Sequence, residues 1–165
     1  MKIAILIPCF LPKWFGGTEV ATYHLAEHLA KRGHEVHVIT PLDEGLPEES
    51  YENGFHIHRL PKIKSHFPGG VIFWVDIVRA IQMIRPDIVH AQSLNSGIPA
   101  LLSNKLLKIP YVVYGRGLDV YHPEWYVKLT AKAVLKNAGI AIALTEDMKK
   151  IMQAMYDRDT VVVPN

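Results

Sequence analysis

The chain has 165 residues, 49% of them apolar and 21% charged, which is enough for one globular domain with a real core and too apolar for a disordered one. Its formal net charge of +2 is too small to mark a nucleic-acid partner. A lone cysteine, Cys9, excludes an internal disulfide, and the longest apolar stretch, Val71–Ile84, is broken by Asp76, Arg79 and Gln82 and is too short to span a bilayer.

The N-terminus enters a strand pattern directly, with no signal-peptide signature. Ile3–Ile7 carries almost no polar residue and suits a strand buried on both faces. A loop then closes on Gly16-Gly17 and a helix runs on to Gly33. Thr18 is a candidate cap, and Glu19 adds negative charge where the helix dipole favours it. Gly33, after Lys31 and Arg32, suits the helix end. Glu35–Thr40 is a second strand, Pro41–Gly54 an acidic turn-rich loop, and Phe55–Leu60 an alternating strand nearer a sheet edge. Pro61–Gly70 reads as a mobile basic loop. Val71–Arg85 has helical apolar spacing and stops at Pro86. Strands follow at Ile88–Ala91, Tyr111–Tyr114, Ile140–Leu144 and Thr160–Val163, with helices at Ser96–Leu107, Glu124–Asn137 and Glu146–Tyr156.

This alternation predicts an α/β chain: a Rossmann-like, doubly wound, mainly parallel sheet of about seven strands with helices on both faces. Ligands of such sheets sit outside the carboxyl ends of the strands, where the strand order reverses. The loops that matter are then 8–17, 91–96, 115–123 and 145–146. At the first, two adjacent glycines before a helix let a phosphate approach bare backbone N–H groups, although the same pair also serves as a plain tight turn. No G-x-G-x-x-G follows the first strand, which argues against a dinucleotide enzyme.

Other patterns point elsewhere. His24-Leu25-Ala26-Glu27-His28 fits H-x-x-E-H, but no third ligand is evident and the stretch lies in the first crossover helix. His34, His37, His56 and His58 read as strand-end and strand-face residues without metal-ligand spacing. No metal and no cofactor is expected. Lys13-Trp14-Phe15, and Lys128, Lys132 and Lys136 beside Trp125, Tyr126 and Leu129, suit an anionic membrane surface. The plainer reading of the second group is a solvated helix face with its aromatics packed on the sheet. The expected location is cytoplasmic, with peripheral contact to the inner face of the cell membrane left open.

The motifs GGTE, GHEVHVIT, PDIVHAQS, IPYVVYGRGLDVY, AIALTEDMKK and VVVPN, in this order and spacing over essentially the whole chain, resemble the N-terminal half of a glycosyltransferase family 4 enzyme. The resemblance implies the two-domain GT-B architecture and retaining transfer from a nucleotide sugar without an obligatory metal. Residues 1–165 would be the acceptor-side domain, inactive alone. A C-terminal domain with a pair of glutamates would hold the donor. That domain typically begins past a P-N-G-[VI]-D linker, and Pro164-Asn165 are its first two letters. The acceptor would be a carbohydrate or a lipid-linked acceptor. A non-catalytic nucleotide- or ligand-binding module and a GT-B nucleotide-sugar epimerase are the alternatives.

The resemblance also implies roles. Gly16 and Gly17 would lie close to the donor phosphates. Glu19 would act as a ligand or support the first turn. His90, with Gln92 where the family often has a second histidine, would orient the acceptor. Arg116 stands where the family frequently has a histidine, in a Gly117 and Asp119 context, and arginine cannot act as a general base at neutral pH. It is left as a clamp on a phosphate or carboxylate, or as a partner of Asp119 shaping the loop. Thr145 and Glu146 would sit near the acceptor or a donor phosphate. Trp14, Phe15, Gln92, Ser93 and Asn95 are candidate acceptor contacts.

Overall fold

The computed structural model describes residues 1–61 and 69–164. The elements run β1 (Lys2–Leu6), α1 (Gly17–Lys31), β2 (Glu35–Pro41), β3 (Glu49–Glu52), β4 (Phe55–Leu60), α2 (Gly69–Ile84) and β5 (Ile88–Ala91). They continue α3 (Gly97–Leu107), β6 (Tyr111–Gly115), α4 (Leu118–Tyr121), α5 (Trp125–Asn137), β7 (Ile140–Ala143), α6 (Glu146–Met155) and β8 (Thr160–Val162). One 8-stranded sheet has the order β3-β4-β2-β1-β5-β6-β7-β8. Every pairing is parallel except β3 with β4. The chain winds from β1 outward to β4, then returns beside β1 as β5, so the strand order reverses between β1 and β5.

The packing of β1 explains why its sequence is apolar from Ile3 onward. Ile3 and Ile5 join Val36, Val38, Phe55 and Ile57 in a layer closed by Ala26 of α1. Ala4 and Leu6 face the other way, into a layer with Val89, Val113 and Ala141 under residues of α2, α3, α5 and α6. A strand covered on both faces has no position for a polar side chain. The expected doubly wound α/β sheet is what forms, with α1 on one face and the later long helices on the other.

Several boundaries differ from expectation. The loop foreseen over Pro41–Gly54 contains β3, an antiparallel edge strand. Its sequence, ESYE, is mostly exposed and lacks an apolar signal. A tight hairpin holds it: Asn53 and Gly54 have φ of 44° and 90°, the left-handed pair such a turn needs. β4 is therefore one strand in from the edge. Thr18 does not cap α1. Gly16 is the N-cap, without a side-chain bond, and Thr18 lies inside the helix. Gly33 does end it, at φ 82°. The loop foreseen over 115–123 holds α4. The basic loop foreseen over Pro61–Gly70 falls largely outside the described residues.

Candidate functional site

The carboxyl ends of β1, β5 and β6 meet at the order reversal, and two different surfaces emerge there. His90 pairs in register with Ile5 on one side and Val112 on the other, so its side chain lies on the α1 face. Its ring stacks on Tyr114, 6.3 Å between centroids and 8° between planes. The Arg116 guanidinium carbon stands 3.9 Å from the centroid of the same ring. Tyr114 is anchored in turn, its hydroxyl donating to the Val163 carbonyl. Sequence reasoning missed Tyr114. The signal was the two-residue period, which puts it on the same strand face as Arg116.

Burial sets the electrostatics. It pulls the Arg116 pKa down, while Tyr114, Asp119 and Glu19 oppose it. A guanidinium keeps its charge nonetheless. Burial, and then the Arg116 charge, pull His90 down to about 4. His90 is thus a neutral imidazole at physiological pH. Among the described residues its Nε2 has no hydrogen-bond partner, and neither has Oε1 of Gln92, which is 1% exposed. Buried polar atoms left in this way cost free energy that a bound polar ligand would recover.

The loops around this stack divide into chemistry and scaffolding. Gly16 and Gly17 are exposed at the N-terminus of α1. Glu19 folds back over Gly16, its Oε2 filling the spot where a Cβ on that glycine would stand. Asp119 accepts from the backbone N–H groups of Leu94 at 2.8 Å, Gly117 at 2.9 Å and Arg116 at 3.3 Å, and so ties the β5 and β6 loops together. Burial pushes its pKa up against the pull of those donors. Ser93 donates to Ser96 Oγ at 2.9 Å and accepts the Ser96 N–H at 3.0 Å, shaping the turn before α3. Thr145 accepts the Met148 N–H at 3.2 Å as the cap of α6. With the exposed Glu146 it sits at the end of β7, beyond β6 from the reversal. Trp14 donates to Asp43 at 2.9 Å, which also pairs with Lys13 at 3.5 Å, and Phe15 is 77% exposed.

The second surface lies on the opposite face of the sheet. A cavity of about 940 Å³ opens between α2 and α5, lined by Val71, Phe73, Trp74, Tyr126 and Leu129, with Asn95 and Ser96 from the β5 loop. Its size is that of a ligand site. Trp74 and Tyr126 meet at 5.9 Å between ring centroids. Here the expectation for the second helix group is corrected in part. Tyr126 packs inward, but Trp125 is 68% and Leu129 74% exposed. The groove escaped the sequence because its walls are ordinary helical apolar residues until α2 and α5 are seen on its two sides.

Other histidines of the described residues, among them His24, His28, His37, His56 and His58, are engaged locally. His28 Nδ1 lies 2.7 Å from the His24 carbonyl oxygen, and Glu27 pairs with Lys31 at 2.9 Å. His37 stacks on His56 and bonds to His58 and Glu35, at 2.9 and 3.0 Å. Among the described residues, no three His, Cys, Asp or Glu side chains are grouped to hold a metal ion. None of their helices is long and apolar enough to cross a membrane.

A mainly parallel α/β sheet whose order reverses between β1 and β5, with helices on both faces, defines a Rossmann-like domain. Residues 15–165 match Glycosyltransferase Family 4, and the chain belongs to that family. It is 30% identical over 143 residues to a GDP-mannose-dependent alpha-mannosyltransferase of Mycobacterium tuberculosis (strain CDC 1551 / Oshkosh), covering 81% of this chain and 37% of that protein. It is 26% identical over 187 residues to the alpha-monoglucosyldiacylglycerol synthase of Acholeplasma laidlawii, covering 100% of this chain and 46% of that protein. Sucrose-phosphate synthase from Thermosynechococcus elongatus shares the fold, with a TM-score of 0.80 at 17% identity over 99% of this chain and 47% of that one. The chain thus spans less than half the length of each of these proteins.

Proposed function

We propose that this chain is the acceptor-side domain of a retaining glycosyltransferase that moves a sugar from a nucleotide sugar to an acceptor hydroxyl. The observation that carries the reading is the stack of His90, Tyr114 and Arg116 beside the exposed Gly16-Gly17 turn at the order reversal. The family match over residues 15–165 supports a transferase over an epimerase or a non-catalytic binding module. The GDP-mannose-dependent relative supports a nucleotide-sugar donor.

In this reading, a bond forms between the acceptor oxygen and the anomeric carbon, the bond from that carbon to the diphosphate breaks, and the acceptor proton leaves with the nucleotide. The backbone N–H groups of Gly16 and Gly17, at a positive helix end, face the departing phosphates. Arg116 adds fixed positive charge that needs no reorganisation as the leaving group gains charge. His90, being neutral, accepts or donates a hydrogen bond through Nε2 and holds the acceptor or sugar hydroxyl in line. It does not serve as an acid. Gln92 shares that task. Glu19 and Asp119 set the positions of the glycine turn and the arginine.

A second domain supplies the donor site. The coverage of relatives supports this. So does the α1 face of β7 and β8, where Ile140, Val161 and Val163 are 49%, 49% and 42% exposed. In this reading the activity is cytoplasmic. The test is to supply nucleotide sugars and candidate acceptors to the full-length protein carrying this chain. Transfer with retained anomeric configuration is expected, and none from the 165-residue chain by itself. An inverted product, or turnover by the chain alone, refutes the proposal.

A further inference from the structure

We infer that the groove between α2 and α5 holds the hydrocarbon chain of the acceptor, which makes the acceptor an anionic amphiphile drawn from a membrane. This rests on the transferase reading above and names the substrate class for it.

The lining of the groove argues against a free sugar. A sugar displays hydroxyls on every side, and each one buried without a partner is costly. Among the described residues the walls offer Phe73, Trp74, Ile77 and Tyr126, with polar side chains at Asn95, Ser96, Glu124 and Thr130, the first and third of which already hydrogen-bond the Tyr126 hydroxyl. Thr130 already donates to the Tyr126 carbonyl at 2.8 Å. A hydrocarbon chain asks for no partners and gains from every apolar wall.

The mouth of the groove points to a bilayer as the source. Val71 on α2, and Trp125 and Leu129 on α5, are 41%, 68% and 74% exposed, so large apolar side chains face solvent at the rim. Along the same face of α5 run Lys128, Lys132 and Lys136, all exposed and one turn apart. An apolar lip with a line of cations beside it matches the two layers of an anionic leaflet: acyl chains for the lip, phosphates for the lysines. The acidic residue in the lining, Glu124, sits before the helix and leaves that line intact.

The inner end of the groove supplies the geometry. Asn95 has an Oδ1 with no hydrogen-bond partner among the described residues, and with Ser96 it belongs to the loop after β5 that the Asp119 carboxylate ties to the Arg116 loop. A chain lying in the groove therefore delivers its polar head to the strand ends where Gly16-Gly17 and Arg116 stand. The sheet itself separates the tail site from the transfer site.

The test uses an alkyl phosphate brominated at its chain end, below its micelle concentration, and the part of the full-length protein's fluorescence that a Trp74→Phe, Trp125→Phe variant lacks. Quenching of Trp74 and Trp125 is expected. Leu129→Glu should weaken it at least tenfold, as should Val71→Phe, which narrows the mouth without adding charge. Both positions are exposed, so the fold should persist. With anionic vesicles, binding that is lost in salt yet leaves Trp74 unquenched would mean adsorption of the surface only and would overturn the inference. So would transfer to a detergent-dispersed lipid acceptor that is indifferent to Leu129→Glu, and that result would leave the transferase reading standing. Absence of transfer to any acceptor, with quenching intact, would instead sink the transferase reading.

Discussion

The Arg116 guanidinium rests on the face of Tyr114, 3.9 Å from the ring centroid, and the same ring lies parallel to that of His90. A cation over an aromatic face is attracted by the ring quadrupole, more so when desolvated. The pair therefore fixes a buried positive charge at the strand ends without neutralising it. Arg116→Ala should lower kcat/KM of the full-length enzyme by about 100-fold, the scale for losing one preorganised stabiliser of developing charge. Arg116→Lys keeps the charge but loses the planar stack, and should recover only part. An unchanged kcat/KM in the alanine variant would remove Arg116 from the proposed chemistry.

His90 makes the fold sensitive to acid. Its pKa in the folded chain is about 4, against 6.5 for an exposed histidine. As pH falls through 6.5 the unfolded chain takes up a proton that the folded chain refuses. Stability is therefore whole above 6.5 and drains away between there and about 4, by up to about 3 kcal/mol from this residue. Denaturation of His90→Gln followed across that window should show a shallower loss than the parent. Parallel curves would mean that His90 is protonated in the fold.

Two glycines should respond oppositely to an added methyl. At Gly16 the backbone is extended and the obstacle is the mobile end of Glu19, so Gly16→Ala should change stability by less than about 1 kcal/mol. It should nevertheless raise KM for the nucleotide sugar by displacing Glu19 across the turn. At Gly115 a Cβ would stand 2.6 Å from both Met152 Sδ and Val120 Cγ2, inside the core. Gly115→Ala should cost about 1–3 kcal/mol. Urea denaturation of the two variants side by side, with donor kinetics on the first, checks both statements.

Asp119 earns a structural prediction from its three backbone donors. Asp119→Ala leaves those N–H groups without their acceptor and should destabilise the fold by about 3 kcal/mol. Hydrogen exchange at the amides of Leu94 and Gly117 should speed up with it. If those amides stay protected, the loops are held by something other than this carboxylate.

Much of this was written in the one-dimensional pattern. The alternation of apolar runs with helical spacing, the glycine pair after the first strand and the stop signals at Gly33 and Pro86 are local features. Local features specify strands, helices and the rim at which loops gather, because backbone sterics and burial act within a few residues. The polar edge strand β3 was hidden because its pairing comes from the hairpin turn and not from apolar content. The meeting of Tyr114 with His90 depends on how β5 and β6 register, and the carboxylate of Asp119 reaches Leu94 only because the sheet sets two loops side by side. The groove depends on the spacing of α2 and α5, helices 41 residues apart from Ile84 to Trp125. Such juxtapositions join residues far apart in the chain, and only the packing of the whole sheet and its helices decides them.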